Sequence, residues 1–209
     1  MAEILIYDFI GADFFGEGVT AKSVKKQLDD IQPGEEITVR VNSPGGDVFD
    51  GFAIYNLLKM ADNTIHVVVD GLAASAASII AISGDTVSMA GNALMMIHNP
   101  WTFAIGDSSD MLKTAETLEK IKGSILNNYV AKSGMDRDEL SAAMDAETWY
   151  SAAEAVAAGL ADEEIDEDAV IENIAAPWIR NAPQREMAPA RQDPAFRIAA
   201  RARIKDYSA

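Results

Sequence analysis

The stretch VDGLAASAASIIAISGDTVSMAGNALMMIHNP, residues 69–100, decides the fold. An apolar run ends at Gly71-Leu72-Ala73-Ala74 and hands the chain to Ser75, after which small and apolar residues (76–84) read as a buried helix. Two short strands are expected next, over 86–89 and 93–97, on either side of a Gly91-Asn92 turn. The second delivers His98 just before Asn99-Pro100. A strand-to-helix corner suits a nucleophile, because the turn exposes a hydroxyl and the helix start offers free N–H groups with positive dipole character. Such donors stabilise an oxyanion formed beside the serine. Serine is a weak nucleophile at neutral pH and needs a base, for which histidine has a suitable pKa.

Taken singly, each feature has a plainer explanation. A serine among alanines is ordinarily a close-packing residue, and a histidine at a strand end is ordinarily structural. A third element stands upstream. The run Val39-Arg40-Val41-Asn42-Ser43-Pro44-Gly45-Gly46-Asp47 breaks a β-branched strand at two glycines and leads into a helix over 48–60. Adjacent glycines permit a backbone path closed to other residues and a close approach to a ligand.

In this order, Pro-Gly-Gly, Gly-Leu-Ala-Ala-Ser and Met-Ile-His-Asn-Pro resemble the proteolytic subunits of the Clp protease family, and within it the Clp-type proteases of phage and prophage head assembly. The resemblance runs from about residue 37 to 162. It implies an α/β fold, the crotonase-like spiral of ββα units with a protruding long helix, and a Ser-His-Asp type serine endopeptidase. Carried over by position, Ser75 is the nucleophile and His98 the base, with the N–H groups of Gly46 and Ala76 as oxyanion donors. The family's third member is an aspartate four residues before a Ser-Ala-x-Glu-Ala helix start. Here that start is Ser151-Ala152-Ala153-Glu154-Ala155, and Glu147 stands in the aspartate's place, with Asp145 two residues away. A glutamate can also hold the imidazole tautomer and stabilise imidazolium, so Glu147 is the expected third member.

The remainder of the chain reads as alternating strands and helices. A strand is expected over 3–10, a helix over 21–30 capped by Thr20, strands over 36–41 and 64–69, and a long helix over 108–132 stopped by Ser133-Gly134. Asp136-x-x-Glu139 and Ser151-x-x-Glu154 resemble capping boxes of two shorter helices. His66, the other histidine, is expected to be a packing residue of its strand. Ser78 is the rival nucleophile, one turn inside the helix and away from its free N–H groups.

The 209 residues suit one sizeable domain, 1–175, and a tail, 176–209. Net charge is −16, divided unevenly. Residues 1–175 hold 10 Lys/Arg and 30 Asp/Glu, a balance of −20; the tail holds 7 against 3, a balance of +4. An acidic body repels phosphate, which disfavours nucleic acid. The tail carries Pro177, Pro183 and Pro189 and is expected to be a linker over 176–193 with a short basic helix over 194–207, suited to docking or assembly. There is no cysteine, hence no thiolate chemistry. No run approaches the roughly 18 apolar residues of a membrane span, and the expectation is a soluble cytoplasmic protein.

No metal or organic cofactor is needed for this chemistry. The resemblance further implies rings with enclosed active sites, protein or peptide substrates, and in the phage branch capsid or scaffold proteins. The chain has no AAA+ nucleotide motif, so an unfoldase would be a separate partner. Three other readings stay open. One is acyl-CoA chemistry on a crotonase fold, where two backbone N–H groups hold a thioester oxyanion and the Ser75/His98 pair stands idle. Another is a Ser-Lys peptidase with Lys120 or Lys122 as base. The last is an assembly scaffold that keeps the fold without catalysis.

Overall fold

The computed structural model describes residues 2–12 and 18–165. β1 (Ala2–Tyr7) leads to α1 (Ala21–Asp29), where Thr20 and Ser23 close a reciprocal capping box. β2 (Ile37–Ser43) leads to α2 (Val48–Lys59), whose first turn is held by the Asp47 carboxylate accepting from the N–H groups of Phe49 and Asp50. β3 (Ile65–Ala74) then turns sharply into α3 (Ala76–Ala81). The three strands run parallel, with Ile4, Val39 and Val67 in one row and Ile6, Val41 and Val69 in the next. All six are fully buried. Period-two alternation sends them to one face of the sheet, where they join the core with Val24, Ile54, Leu58, Ile79 and Ile80 of the helices.

All six residues of α3 are buried, as its all-round apolar sequence requires. β4 (Thr86–Ala90) and β5 (Leu94–Ile97) follow. The Gly91-Asn92 turn between them does not make a hairpin. Both strands run parallel to β3, β4 beside residues 66–69 and β5 beside residues 72–74. The turn carries the chain forward along β3 instead of reversing it. The expected strand over 64–69 is for the same reason longer than its β-branched part: its small second half, Gly71-Leu72-Ala73-Ala74, is what β5 pairs with.

α4 (Ser108–Ser133) is 26 residues long and ends at Gly134 in the left-handed conformation, as Ser133-Gly134 predicts. Ile125, Leu126 and Tyr129 are buried, whereas Met111 and Leu112 near its start are exposed. α5 (Arg137–Asp145) starts at Asp136, which accepts from the N–H groups of Asp138 and Glu139, one half of the expected capping box. β6 (Thr148–Ser151) pairs antiparallel with β5. In α6 (Ala152–Ala157) the Ser151/Glu154 capping box is complete. β7 (Glu163–Ile165) adds a parallel edge to β4 that the sequence did not suggest.

The result is a mixed α/β fold around a seven-stranded sheet ordered β1-β2-β3-β4-β7, from which β5 and β6 branch beside the second half of β3. The expected linker over 176–193 and basic helix over 194–207 lie outside the described residues. Among the described residues no helix is long and apolar enough to cross a membrane.

Candidate active site

Parallel register brings the two key residues together. β3 and β5 pair through Ala73↔Met95 and Ala74↔Met96, and the Ser75 N–H donates to the Met96 carbonyl at 3.0 Å. Ser75 and His98 therefore leave the same end of adjacent strands. The Ser75 hydroxyl and His98 Nε2 lie 2.8 Å apart. This is hydrogen-bond distance for a nucleophile and its base.

Ser75 has φ +56° and ψ −124°, a conformation that side-chain-bearing residues rarely adopt. The same kind of strained strand-to-helix elbow lifts the serine out of the sheet in other hydrolases. Ser75 is also the residue before α3 and makes no side-chain cap with it, which leaves the hydroxyl to His98.

The glycine turn lies directly against this corner. A Cβ on Gly45 would meet the Ala74 carbonyl oxygen at 2.6 Å, Ser75 Cβ at 2.7 Å and Ala76 N at 2.9 Å. A Cβ on Gly46 would meet the Ile10 carbonyl oxygen at 2.2 Å. Both have positive φ, +91° and +151°. The turn is pinned by Ser43, whose hydroxyl donates to the Asp8 carbonyl and accepts from the Gly45 N–H at 3.1 Å. Among the described residues nothing accepts a hydrogen bond from the N–H of Gly46 or of Ala76. The family resemblance names Gly46 as an oxyanion donor; of the two glycines, Gly45 makes the closer approach to Ser75.

The antiparallel ladder of β5 and β6 pairs Met96 with Trp149 and Ile97 with Thr148. His98 follows Ile97 and Glu147 precedes Thr148, and among the described residues no hydrogen bond joins Glu147 to His98. Glu147 has φ +51° and accepts from Trp149 Nε1 at 3.4 Å. Its charge pulls the His98 pKa upward, but burial acts more strongly and leaves His98 below the ordinary histidine value. Asp145 points elsewhere. It accepts from Lys122 Nζ at 2.5 Å and from Asn99 Nδ2 at 2.7 Å, contacts that, Lys122 foremost, hold its carboxyl below the usual carboxylate range.

Among the rival residues, Ser78 and Lys122 are already engaged. Ser78 is fully buried, its hydroxyl 2.6 Å from the Ser75 carbonyl oxygen and 2.7 Å from the Tyr129 hydroxyl. Lys122 is paired with Asp145, and Lys120 is exposed. His66 Nδ1 sits 2.7 Å from the Thr86 hydroxyl, as a strand-packing residue would. No cluster of His, Cys, Asp or Glu able to hold a metal ion occurs among the described residues.

Ser75 and His98 open into a cleft of about 890 Å³. Its walls are the glycine turn and Phe49 on one side, Trp101 and Phe103 after β5, and Leu118 and Ile121 of α4 on the other. An open, mostly apolar cleft with a few polar groups is what an extended polypeptide can enter.

A parallel α/β sheet that presents a serine elbow and a strand-end histidine to one cleft defines a class, and the comparisons specify it. The family model for Clp protease matches residues 16–168. The ATP-dependent Clp protease proteolytic subunit of Bacteroides fragilis is 32% identical over 160 residues, covering 74% of this chain and 76% of that protein. Subunit 1 of the same description from Chlamydia trachomatis is 37% identical over 160 residues, covering 71% and 83%. Among solved structures, a ClpP1 point mutant from Listeria monocytogenes superposes with a TM-score of 0.68 at 27% identity, over 78% of this chain and 91% of that one. The chain belongs to the Clp protease family.

Proposed function

We propose that the protein is a serine endopeptidase of the Clp type, acting through Ser75, His98 and Glu147. The carrying observation is the 2.8 Å contact between Ser75 Oγ and His98 Nε2 at a strained corner beside two unsatisfied N–H groups. His98 Nε2 takes the proton of Ser75 as the hydroxyl oxygen attacks a peptide carbonyl. The resulting oxyanion is held by the N–H groups of Gly46 and Ala76. Collapse expels the amine, which takes its proton from His98, and leaves an acyl ester on Ser75. Water, deprotonated by His98, then releases the acid and restores the serine. Glu147 holds the imidazole in the productive tautomer and stabilises the imidazolium.

Protein or peptide chains are the substrates on this reading, and no cofactor takes part. The protein works as a self-associated ring in the cytoplasm of its host cell, in the head-maturation branch, on capsid or scaffold proteins. Any ATP dependence comes from a separate unfoldase. The branch rests on the resemblance carried by the Pro-Gly-Gly, Gly-Leu-Ala-Ala-Ser and Met-Ile-His-Asn-Pro motifs. Two experiments test the set: a fluorophosphonate probe reports the serine chemistry, and electron micrographs report the ring. Acyl-CoA chemistry predicts instead that the protein binds CoA and ignores the probe.

A further inference from the structure

Ser75 carries two requirements, a free hydroxyl and an unusual backbone, and a buried chain of hydrogen bonds serves the second. Ser78 Oγ lies 2.6 Å from the Ser75 carbonyl oxygen and 2.7 Å from Tyr129 OH. Counting protons fixes the directions. A carbonyl can only accept, so the single hydroxyl hydrogen of Ser78 goes to Ser75, and Tyr129 donates its own to Ser78. The Ser78 N–H also donates to the Ser75 carbonyl, at 3.0 Å. Ser78 is 0% exposed and Tyr129 1%. In such surroundings an unpaired hydroxyl is costly, so the chain holds or breaks as a unit.

The Ser75 carbonyl shares a planar peptide with the Ala76 N–H, and the two point in opposite directions. Whatever fixes the carbonyl therefore aims the N–H. Turning that peptide, which would move Ser75 away from its ψ of −124°, would break both bonds from Ser78. A serine in the first turn of a helix often bonds back to a nearby carbonyl. A fully buried tyrosine from α4, 51 residues away in sequence, completing that bond is not a local habit of helices.

We propose that Ser78 and Tyr129 are positioning residues, a relay from α4 that fixes the 75–76 peptide and aims the Ala76 N–H at the oxyanion. The proposal rests on Ser75 being the nucleophile. It requires the relay to matter more in the transition state than in the bound substrate, so losing it lowers kcat and leaves KM nearly unchanged.

The experiment compares Tyr129→Phe, Ser78→Ala and the double variant with the unaltered full-length protein. It reads kcat and KM on a short peptide, the rate of fluorophosphonate labelling at Ser75, and thermal unfolding. Tyr129→Phe removes one hydroxyl and keeps the ring, which makes it the decisive variant. Each single change should lower kcat and labelling rate by up to about tenfold, the size of one net hydrogen bond, with KM within about twofold. The double variant should be no slower than Ser78→Ala, because the two hydroxyls act in series. Tyr129→Phe with unaltered kcat and only a lower unfolding temperature would overturn the proposal, as would losses that multiply in the double variant. If the unaltered protein takes the probe at a residue other than Ser75, the nucleophile assignment fails, and the relay fails with it.

Discussion

His98 follows Ile97 and Glu147 precedes Thr148, the two residues that form the last pair of the ladder between β5 and β6. Glu147 lies near enough for its charge to pull the His98 pKa upward, against the larger effect of burial. If Glu147 orients His98, Glu147→Gln should lower kcat by orders of magnitude with the fold intact; in the serine-protease template the equivalent loss is about ten-thousand-fold. Glu147→Asp keeps the charge, loses reach, and should retain partial activity. Asp145→Asn should matter less, because Asp145 is engaged by Asn99 and Lys122. Kinetics on the three variants check this. An active Glu147→Gln beside an inactive Asp145→Asn would move the third role to Asp145.

The pH dependence has a definite sign. Burial holds the His98 pKa below the ordinary histidine value, favouring the neutral imidazole that a general base requires. The acid limb of kcat/KM should accordingly lie below the 6.5 of an unperturbed histidine. Glu147 pulls that pKa upward, so Glu147→Gln should move the limb to still lower pH. A limb above the ordinary histidine value, or one that rises in the variant, would contradict this electrostatic account.

Gly45→Ala puts a methyl group within 2.9 Å of the Ser75 corner at three atoms, at a φ of +91°. Strain and overpacking together should cost roughly 2–4 kcal/mol and displace the nucleophile. Gly34, with φ +80° and nothing within 4 Å, is the control, since Gly34→Ala meets only the backbone cost. Denaturant unfolding and probe labelling measure both. Equal stability and equal labelling in the two variants would show that the close approach is unimportant.

Trp101, Phe103, Ile105 and Leu112 are between 67% and 102% exposed, a run of apolar surface between β5 and the first turns of α4. Single exposed apolar side chains are ordinary, but four so close in sequence call for a cover. Sedimentation at micromolar concentration should give a species several times the 22.4 kDa chain mass. Phe103→Glu with Leu112→Glu should shift it towards that mass. A lone monomer in the unaltered protein would contradict the assembly.

Much of the site was legible because it depends on local sequence. The elbow follows from small residues around Ser75, and the histidine beside it from a strand that ends shortly before a proline. What stayed hidden depends on pairing at a distance. Gly91-Asn92 looks like a hairpin turn, and only the two halves of β3 show that it carries the chain forward. β7 is acidic and short, with no apolar alternation to mark it, and exists because β4 offers an edge. Tyr129 stands one helical turn after Ile125, a spacing that marks only a packed helix face. Its hydroxyl gains meaning only when α4 packs against α3, beside Ser78.

The central claim is that Ser75 is the nucleophile, and the most direct measurement is mass spectrometry of the protein after reaction with a fluorophosphonate probe. One adduct per chain should form and map to Ser75, vanish in Ser75→Ala and His98→Ala, and persist at a reduced rate in Ser78→Ala. An adduct on Ser78 that survives Ser75→Ala, or no adduct on a protein that still cleaves peptides, would contradict the account.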